Sequence, residues 1–287
     1  MWRVLLSLVL MLIRLPQERD WQAVNDFLYQ LQNADIDAIA ASDFDLVVLE
    51  ISDIDTAAVD QLHESGTLVV CYMSIGEAED YRWYWDESWD DDPPDFLDEE
   101  NPDWEGNYKV HYWDPDWQAL IYGSDDSFLD RILALGCDGT YLDIVDGYEY
   151  YADERETAAQ DMVDFVLGLT AYARERDPEF GVFPNNGESL GIEFPEFMDA
   201  MTGIGVEDVY YGYPEDNLAS PEEWAEARRV VLDEWVDAGK LVLTIDYSTD
   251  EDQIADAYTR SRERGYIPYV ADRNLDVLRI NPGFEPD

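Results

Sequence analysis

Eight apolar runs of strand length, with acidic helix-patterned stretches between them, constrain this sequence more than any other feature. They cover 27–31, 46–51, 68–75, 140–145, 181–184, 203–211, 241–247 and 266–271. Strands alternating with helices imply parallel strands joined by crossovers. About 260 residues for eight such units is the size of a (β/α)8 TIM barrel. The rival α/β fold, a doubly wound sheet, lacks its glycine-rich phosphate loop after the first strand. In the stretch beginning "AAQDMVDFVLGL", Met162, Phe165, Val166 and Leu169 recur at helical spacing. Trp224, Ala227, Val231 and Trp235 do so farther on, and the glycines of "GC" and "GK" just before strands read as helix ends. One stretch resists this rhythm. Residues 77–116 are too long and too aromatic for an ordinary connection, and read as a functional insertion after strand 3 of a single domain.

The helical stretches are acidic to an extreme: 67 Asp and Glu face 17 Lys and Arg, for a net charge of −50. Self-repulsion of that size destabilises a compact chain in dilute buffer. At about 1 M salt the screening length falls to roughly 3 Å, so the composition reads as adaptation to molar salt. With no basic patch to neutralise phosphates, nucleic acid is excluded as a partner. The two cysteines, Cys71 and Cys137, are expected to be ordinary buried thiols. Zinc is not expected, since His63 and His111 are the only histidines and no Cys-x-x-Cys occurs. Residues 1–20 begin with one Arg and an apolar run, like a secretory signal or anchor without a clear cleavage site. That run is too short for a stable membrane span. The expected organisation is this segment, a barrel over 21–280 and a C-terminal tail over 281–287, with an extracellular or cell-surface location.

Barrel chemistry sits where strands end and βα-loops begin. The polar residues there are Glu50 and Ser52, Ser74 and Glu77, Asp143 and Asp146, Asn185 and Asn186, Glu207 and Asp208, then Asp246 and Asp272. Carboxylates would converge on one mouth, with no basic residue among them. Most acids in such a chain simply solvate the surface. Asp143 and Glu207 differ, because each interrupts an apolar run, where a carboxylate is costly unless it is bonded or used. Two facing carboxylates are the minimum equipment for cleaving a glycosidic bond. Aromatics in the neighbouring loops, among them Trp83, Trp113, Tyr148, Tyr150, Tyr211 and Tyr213, offer flat faces for sugars. An oxygen-rich mouth could also hold Ca²⁺ or Mg²⁺, but no Asp-x-Asp-x-Asp-Gly loop is present.

Four segments in this order, "CYMSIGEAEDYRWYW", "GNYKVHYWDPDW", "GCDGTYLDIVDGYEYY" and "GIGVEDVYYGY", resemble glycoside hydrolase family 114, the endo-α-1,4-polygalactosaminidase-like TIM-barrel proteins. The resemblance implies endo-hydrolysis of α-1,4-linked galactosamine polymers with retention of configuration. It also implies Asp143 as nucleophile and Glu207 as acid/base. The partner is then a polysaccharide or oligosaccharide, with no cofactor and no metal. Glu77, Asp146, Tyr148, Trp83, Trp113, Asn186, Tyr211 and Asp246 are the residues expected to bind substrate. Asn185 and Glu50 depart from the family pattern, which commonly has Gln and Asp there. The alternative is a catalytically inactive carbohydrate-binding protein on the same barrel.

Overall fold

The computed structural model describes residues 19–286 of the chain. Each of the eight apolar runs contains a strand whose residues are almost all buried. The first half of the barrel is β1 (Phe27–Gln30), α1 (Ile36–Ala40), β2 (Leu46–Leu49), α2 (Thr56–Ser65) and β3 (Leu68–Ser74). The insertion supplies β4 (Glu77–Glu79), β5 (Leu97–Glu100) and β6 (Asn107–Val110), and is followed by α3 (Pro115–Ile121) and α4 (Phe128–Leu135). Then come β7 (Gly139–Asp143), α5 (Ala158–Arg176), β8 (Gly181–Pro184), α6 (Leu190–Glu193), α7 (Pro195–Ala200) and β9 (Gly203–Glu207). The chain closes with α8 (Glu222–Asp237), β10 (Leu241–Tyr247), α9 (Glu251–Glu263) and β11 (Ile267–Ala271).

All barrel pairings are parallel, in the orders β1-β2-β3-β7-β8 and β9-β10-β11. A bridge between Asn185 and Gly205, with bonds from Thr202 N to Val182 O and Asn186 N to Gly205 O, joins the two arcs at β8 and β9. At the other seam the Phe27 ring packs 5.7 Å from that of Tyr269, and Leu31 N and Gln32 N both donate to Leu275 O. The fold is a (β/α)8 barrel.

The register decides what meets at the mouth. Ser74 lies opposite Asp143, and Asn185 N donates to Leu142 O at 2.7 Å, one step past the β7–β8 ladder. Asn185 faces Gly205, two residues before Glu207 and so on the same side of β9. Asp143, Asn185 and Glu207 therefore end three neighbouring strands at one height. Beneath them the fully buried Tyr141 lies where a Cβ on Gly205 would fall 1.9 Å from its Oη. Glycine at 205 is what lets that phenol fill the barrel.

The helices close as their sequences direct. Asp55 and Asp250 cap α2 and α9 through their side chains, and Gly66 and Gly136 end α2 and α4 at φ of 95° and 88°. Met162, Phe165, Val166 and Leu169 form the buried stripe of α5 as expected. The stripe of α8 is rotated from the expected one: Ala225, Arg229, Leu232 and Trp235 are buried, while Trp224 and Ala227 are exposed. Arg229 is a cation inside that stripe. It bonds Glu222, Glu226 and the Val209 carbonyl.

The insertion folds into an antiparallel sheet of order β4-β6-β5 at the mouth of the barrel. Trp117 anchors its exit by donating from Nε1 to Ile75 O at 2.9 Å. Cys71 and Cys137 form a disulfide rather than the expected pair of thiols. They sit on the adjacent strand β3 and at the entry to β7, which brings their Cα atoms within 6.2 Å. That adjacency skips the whole insertion, so it is not visible in sequence order. The expected leader falls outside the described residues except for Arg19 and Asp20. Arg19 is tied to the barrel by bonds to Asp138 and Asp177. At the other end, Asn281 is buried and Phe284 stacks on Tyr258 at 4.3 Å, so the start of the expected tail packs on the barrel. No helix among the described residues is long and apolar enough to cross a membrane.

Candidate active site

A cavity of about 680 Å³ opens at the C-terminal ends of the strands, the face where barrel loops carry chemistry. Asp143 and Glu207 both line it. One nitrogen joins them: Asn185 Nδ2 donates to Asp143 Oδ1 at 3.1 Å and to Glu207 Oε2 at 3.2 Å. The two carboxylate oxygens therefore cannot be farther apart than the sum of those bonds. Tyr141 Oη fixes the bridging amide by donating to Asn185 Oδ1 at 2.7 Å.

Each carboxylate has further partners. Tyr72 Oη donates to Asp143 Oδ2 at 2.5 Å, and Ile144 N donates to Asp143 Oδ1 at 2.8 Å. Tyr247 Oη donates to Glu207 Oε1. Burial raises the Glu207 pKa above its ordinary value, and the nearby charge of Asp143 adds to the effect. Tyr29, Tyr72, Tyr141 and Tyr247 are buried phenols whose acidity is strongly suppressed, first by desolvation. They stay neutral, so Tyr72 and Tyr247 donate to the acids above them and Tyr141 to the Asn185 amide.

The backbone turns sharply where the acids sit. Ile144, Asn186 and Asp208, which follow Asp143, Asn185 and Glu207, have φ of 57°, 58° and 60°. Left-handed geometry in a β-branched residue such as Ile144 is rare, and strain of this kind costs about 1–3 kcal/mol per residue. Gly76 makes the Ile144 turn possible, since a Cβ there would lie 2.3 Å from the Ile144 carbonyl oxygen. Left-handed backbone at three successive strand ends, strained at Ile144, marks the mouth as the functional end of the barrel.

Of the residues expected to bind substrate, Glu77, Asp146 and Asn186 line the cavity with the acid pair. No hydrogen bond reaches the Asp146 carboxylate among the described residues, and its pKa is pushed up to about 8 by burial and then by the charge of Asp143. Glu77 accepts from Asn101 and Asn107 of the insertion. Asn186 Oδ1 accepts from Arg228 Nη2 at 2.9 Å and from Glu207 N.

The other expected residues lie outside the cavity. Trp83 packs edge-on to Phe128 with Arg131 over its face, and Trp113 stacks on His111 with Arg155 over it. Tyr148 meets Ser189, and Tyr211 donates to Asp256. The aromatic rim of the cavity is instead Tyr81, Trp104 and Tyr150, exposed side chains from the insertion and from the loop after β7. Helical and loop aromatics look alike in sequence, so only the folded insertion separates the rim from the packing.

Asp246 is buried beneath the loop after β9, where Oδ1 accepts from Tyr210 N and Tyr211 N at 2.6 and 2.8 Å. Its Oδ2 is buried with no hydrogen-bond partner among the described residues, and burial raises the pKa to about 7. A carboxyl raised in the folded state binds a proton there that the unfolded chain has released. Its contribution to stability is fully present below about pH 4 and is lost as pH rises towards 7. Asp246→Asn is therefore expected to flatten that part of the stability–pH curve. In urea unfolding at molar salt the variant should gain on wild type between pH 5 and 8, by up to a few kcal/mol at ~1.4 per pKa unit. A parallel fall of both curves would contradict the burial argument.

The mouth is not free of cations, contrary to expectation. Arg82 of the insertion is buried and lines the cavity, where it bonds Glu50 with both terminal nitrogens, at 2.6 and 2.8 Å, and Glu79 through Nε at 2.6 Å. Arg273 bonds Asp208 and Asp216. Each arginine is held by a carboxylate pair, so the wall stays net acidic while Asp143, Asp146 and Glu207 face the space. The missed signal was a lone Arg three residues after Glu79, a spacing that lets the pair bond locally. No group of three or more His, Cys, Asp or Glu able to hold a metal ion occurs among the described residues.

Residues 14–283 match the family model described as glycoside-hydrolase family GH114. An uncharacterised protein of Methanocaldococcus jannaschii is 40% identical over 273 residues, covering 87% of this chain and 77% of that protein. Among solved structures, the glycoside hydrolase domain of PelA from Pseudomonas aeruginosa superposes with a TM-score of 0.73 at 22% identity, over 89% of this chain and 98% of that one. Aspergillus fumigatus Ega3, solved in complex with galactosamine, gives 0.68 at 19% identity, over 88% and 93% of the two chains. At such identities the superpositions speak for the barrel alone, whereas the family match spans nearly the whole sequence. The chain belongs to glycoside-hydrolase family GH114.

Proposed function

We propose that this glycoside hydrolase is an endo-acting enzyme that cleaves α-1,4-linked galactosamine-type polysaccharide with retention of configuration. Asp143 is the nucleophile and Glu207 the acid/base. The observation that carries the reading is the Asn185 amide bonded to both carboxylates. A retaining pair needs its carboxyls about 5–5.5 Å apart, and an inverting pair about 6.5 Å or more to admit a water. A nitrogen within hydrogen-bond reach of both favours the closer spacing.

The chemistry then follows from the site. Glu207 begins protonated in this mechanism, a state that burial and the neighbouring charge of Asp143 both favour. It gives its proton to the glycosidic oxygen as Asp143 attacks the anomeric carbon. Forming the glycosyl ester removes the Asp143 charge, which lowers the proton affinity of Glu207 and turns it into the base that activates water. Asn185, Tyr72 and Tyr247 hold the two acids in place throughout. Glu77 and Asp146 line the cavity and suit the ammonium groups of an amino-sugar polymer, since a bound cation offsets the burial that raises the Asp146 pKa to about 8. Ega3 was solved with galactosamine bound, which fits the same substrate class. Action outside the cell, suggested by the signal-like residues 1–20, belongs to the same proposal.

The test is incubation of the protein in about 2–3 M salt, where charge screening is nearly complete, with galactosamine and N-acetylgalactosamine oligomers. Products are read by mass spectrometry. Internal cleavage of the amino oligomers is the expected result. Release of single terminal sugars only, or cleavage restricted to another polymer, would overturn the endo or the substrate part respectively.

A further inference from the structure

Beside the main cavity lies a second pocket of about 350 Å³. Both fall in the range of about 300–1,000 Å³ typical of ligand sites. Glu207, Asp146 and Asn186 line both spaces, so the two adjoin, whereas Asp143 lines the first and not the second. The far wall of the second pocket is aromatic. Tyr213 and Trp224 stack on each other with ring centroids 4.8 Å apart, and both are exposed.

Trp224 is the residue whose helical spacing marked it as core, and its exposure needs a reason. Arg228 lies over its ring at 4.7 Å and bonds Glu188, Asn186 and the Glu207 carbonyl, which ties the aromatic wall to the acid. Glu149 and Asp146 line the pocket, and among the described residues neither forms an ion pair, although the Arg228 charge lies near enough to act on Asp146.

We infer that this pocket is the binding site for the leaving-group sugar, a hexosamine unit held against Tyr213 and Trp224 with its ammonium facing Glu149 and Asp146. The assignment rests on the roles of Asp143 and Glu207 proposed above. The anomeric carbon must lie against the nucleophile, in the first cavity. The sugar on the other side of the broken bond must leave past the acid that protonates it, and the space past Glu207 is the second pocket. A chain occupying both cavities is cut internally, which gives the endo mode a structural basis.

Two substrates separate this site from the rest: an α-1,4-galactosamine pentamer, and the nitrophenyl α-glycoside of the trimer, whose leaving group is not a sugar. Trp224→Ala is expected to cost about tenfold in kcat/KM on the pentamer, several times its loss on the nitrophenyl glycoside. Trp224→Phe, which keeps a ring for stacking, is expected to restore most of the difference. Equal losses on both substrates, or none on either, would overturn the assignment. If wild type cleaves neither, the glycosidase roles fail instead. Calorimetric titration with the pentamer then decides the pocket, and equal affinity of wild type and Trp224→Ala would overturn it.

Discussion

Asp143→Asn and Glu207→Gln are each expected to lower kcat/KM on amino-sugar oligomers by about a thousandfold or more, within the range set by loss of a nucleophile or of a general acid. Both substitutions keep the shape of the side chain, and the Asn185 amide, Tyr72 and Tyr247 remain to hold it. Folding should therefore survive, and melting curves in molar salt check it. The two losses differ in kind. On a substrate with a nitrophenol leaving group, departure needs little protonation, so the Glu207 variant should form the glycosyl ester and then stall. Azide restores its turnover and gives a product of unchanged configuration. With Asp143→Gly, azide takes the place of the missing carboxylate and the product is inverted. The same rescue chemistry in both variants would mean the two roles are misassigned. In wild type, activity should fall as pH rises through the elevated pKa of Glu207, because the acid form starts the reaction.

Gly205→Ala is expected to be the most damaging small change in the barrel, at about 3 kcal/mol or more, the upper end of what overpacking costs. The added methyl would fall 1.9 Å from Tyr141 Oη and 2.4 Å from two ring carbons. Tyr141 is fully buried, packs 5.1 Å from the Tyr29 ring and bonds Asn185, so it has nowhere to retreat. Activity should fall further than stability alone explains, since moving Tyr141 releases the amide that joins the two acids. Urea unfolding of the variant, and of the variant carrying Tyr141→Leu as well, measures this. The second change should return part of the lost stability and none of the activity. If the single variant melts with wild type, the packing described beneath the active site is wrong.

The barrel was legible because its strands are buried on both faces, and burial writes itself as uninterrupted apolar runs. Asp143 and Glu207 stood out for the same reason, as carboxylates that break such runs. What was not legible depended on contacts between distant segments. Tyr72 looked like an ordinary strand residue, although it sits two places before the polar strand end Ser74, which was the available clue. The disulfide joins strands separated by the insertion, and sequence order hides their adjacency. Arg82 and Arg229 are cations inside buried surroundings, each absorbed by a pair of acids, and a reading that assigns charge to the surface passes over both. The buried face of α8 is rotated from the one its spacing suggests, and that rotation carries Trp224 out of the core and onto the wall of the second pocket.

Proton NMR of the first product formed by the wild-type enzyme in molar salt tests the central claim most directly. An α-linked galactosamine oligomer that is cut through a glycosyl ester on Asp143 must release the α-anomer first, before mutarotation, and the adduct should be found by mass spectrometry on the peptide containing Asp143. Release of the β-anomer would mean that water attacks directly and that Asp143 is not the nucleophile.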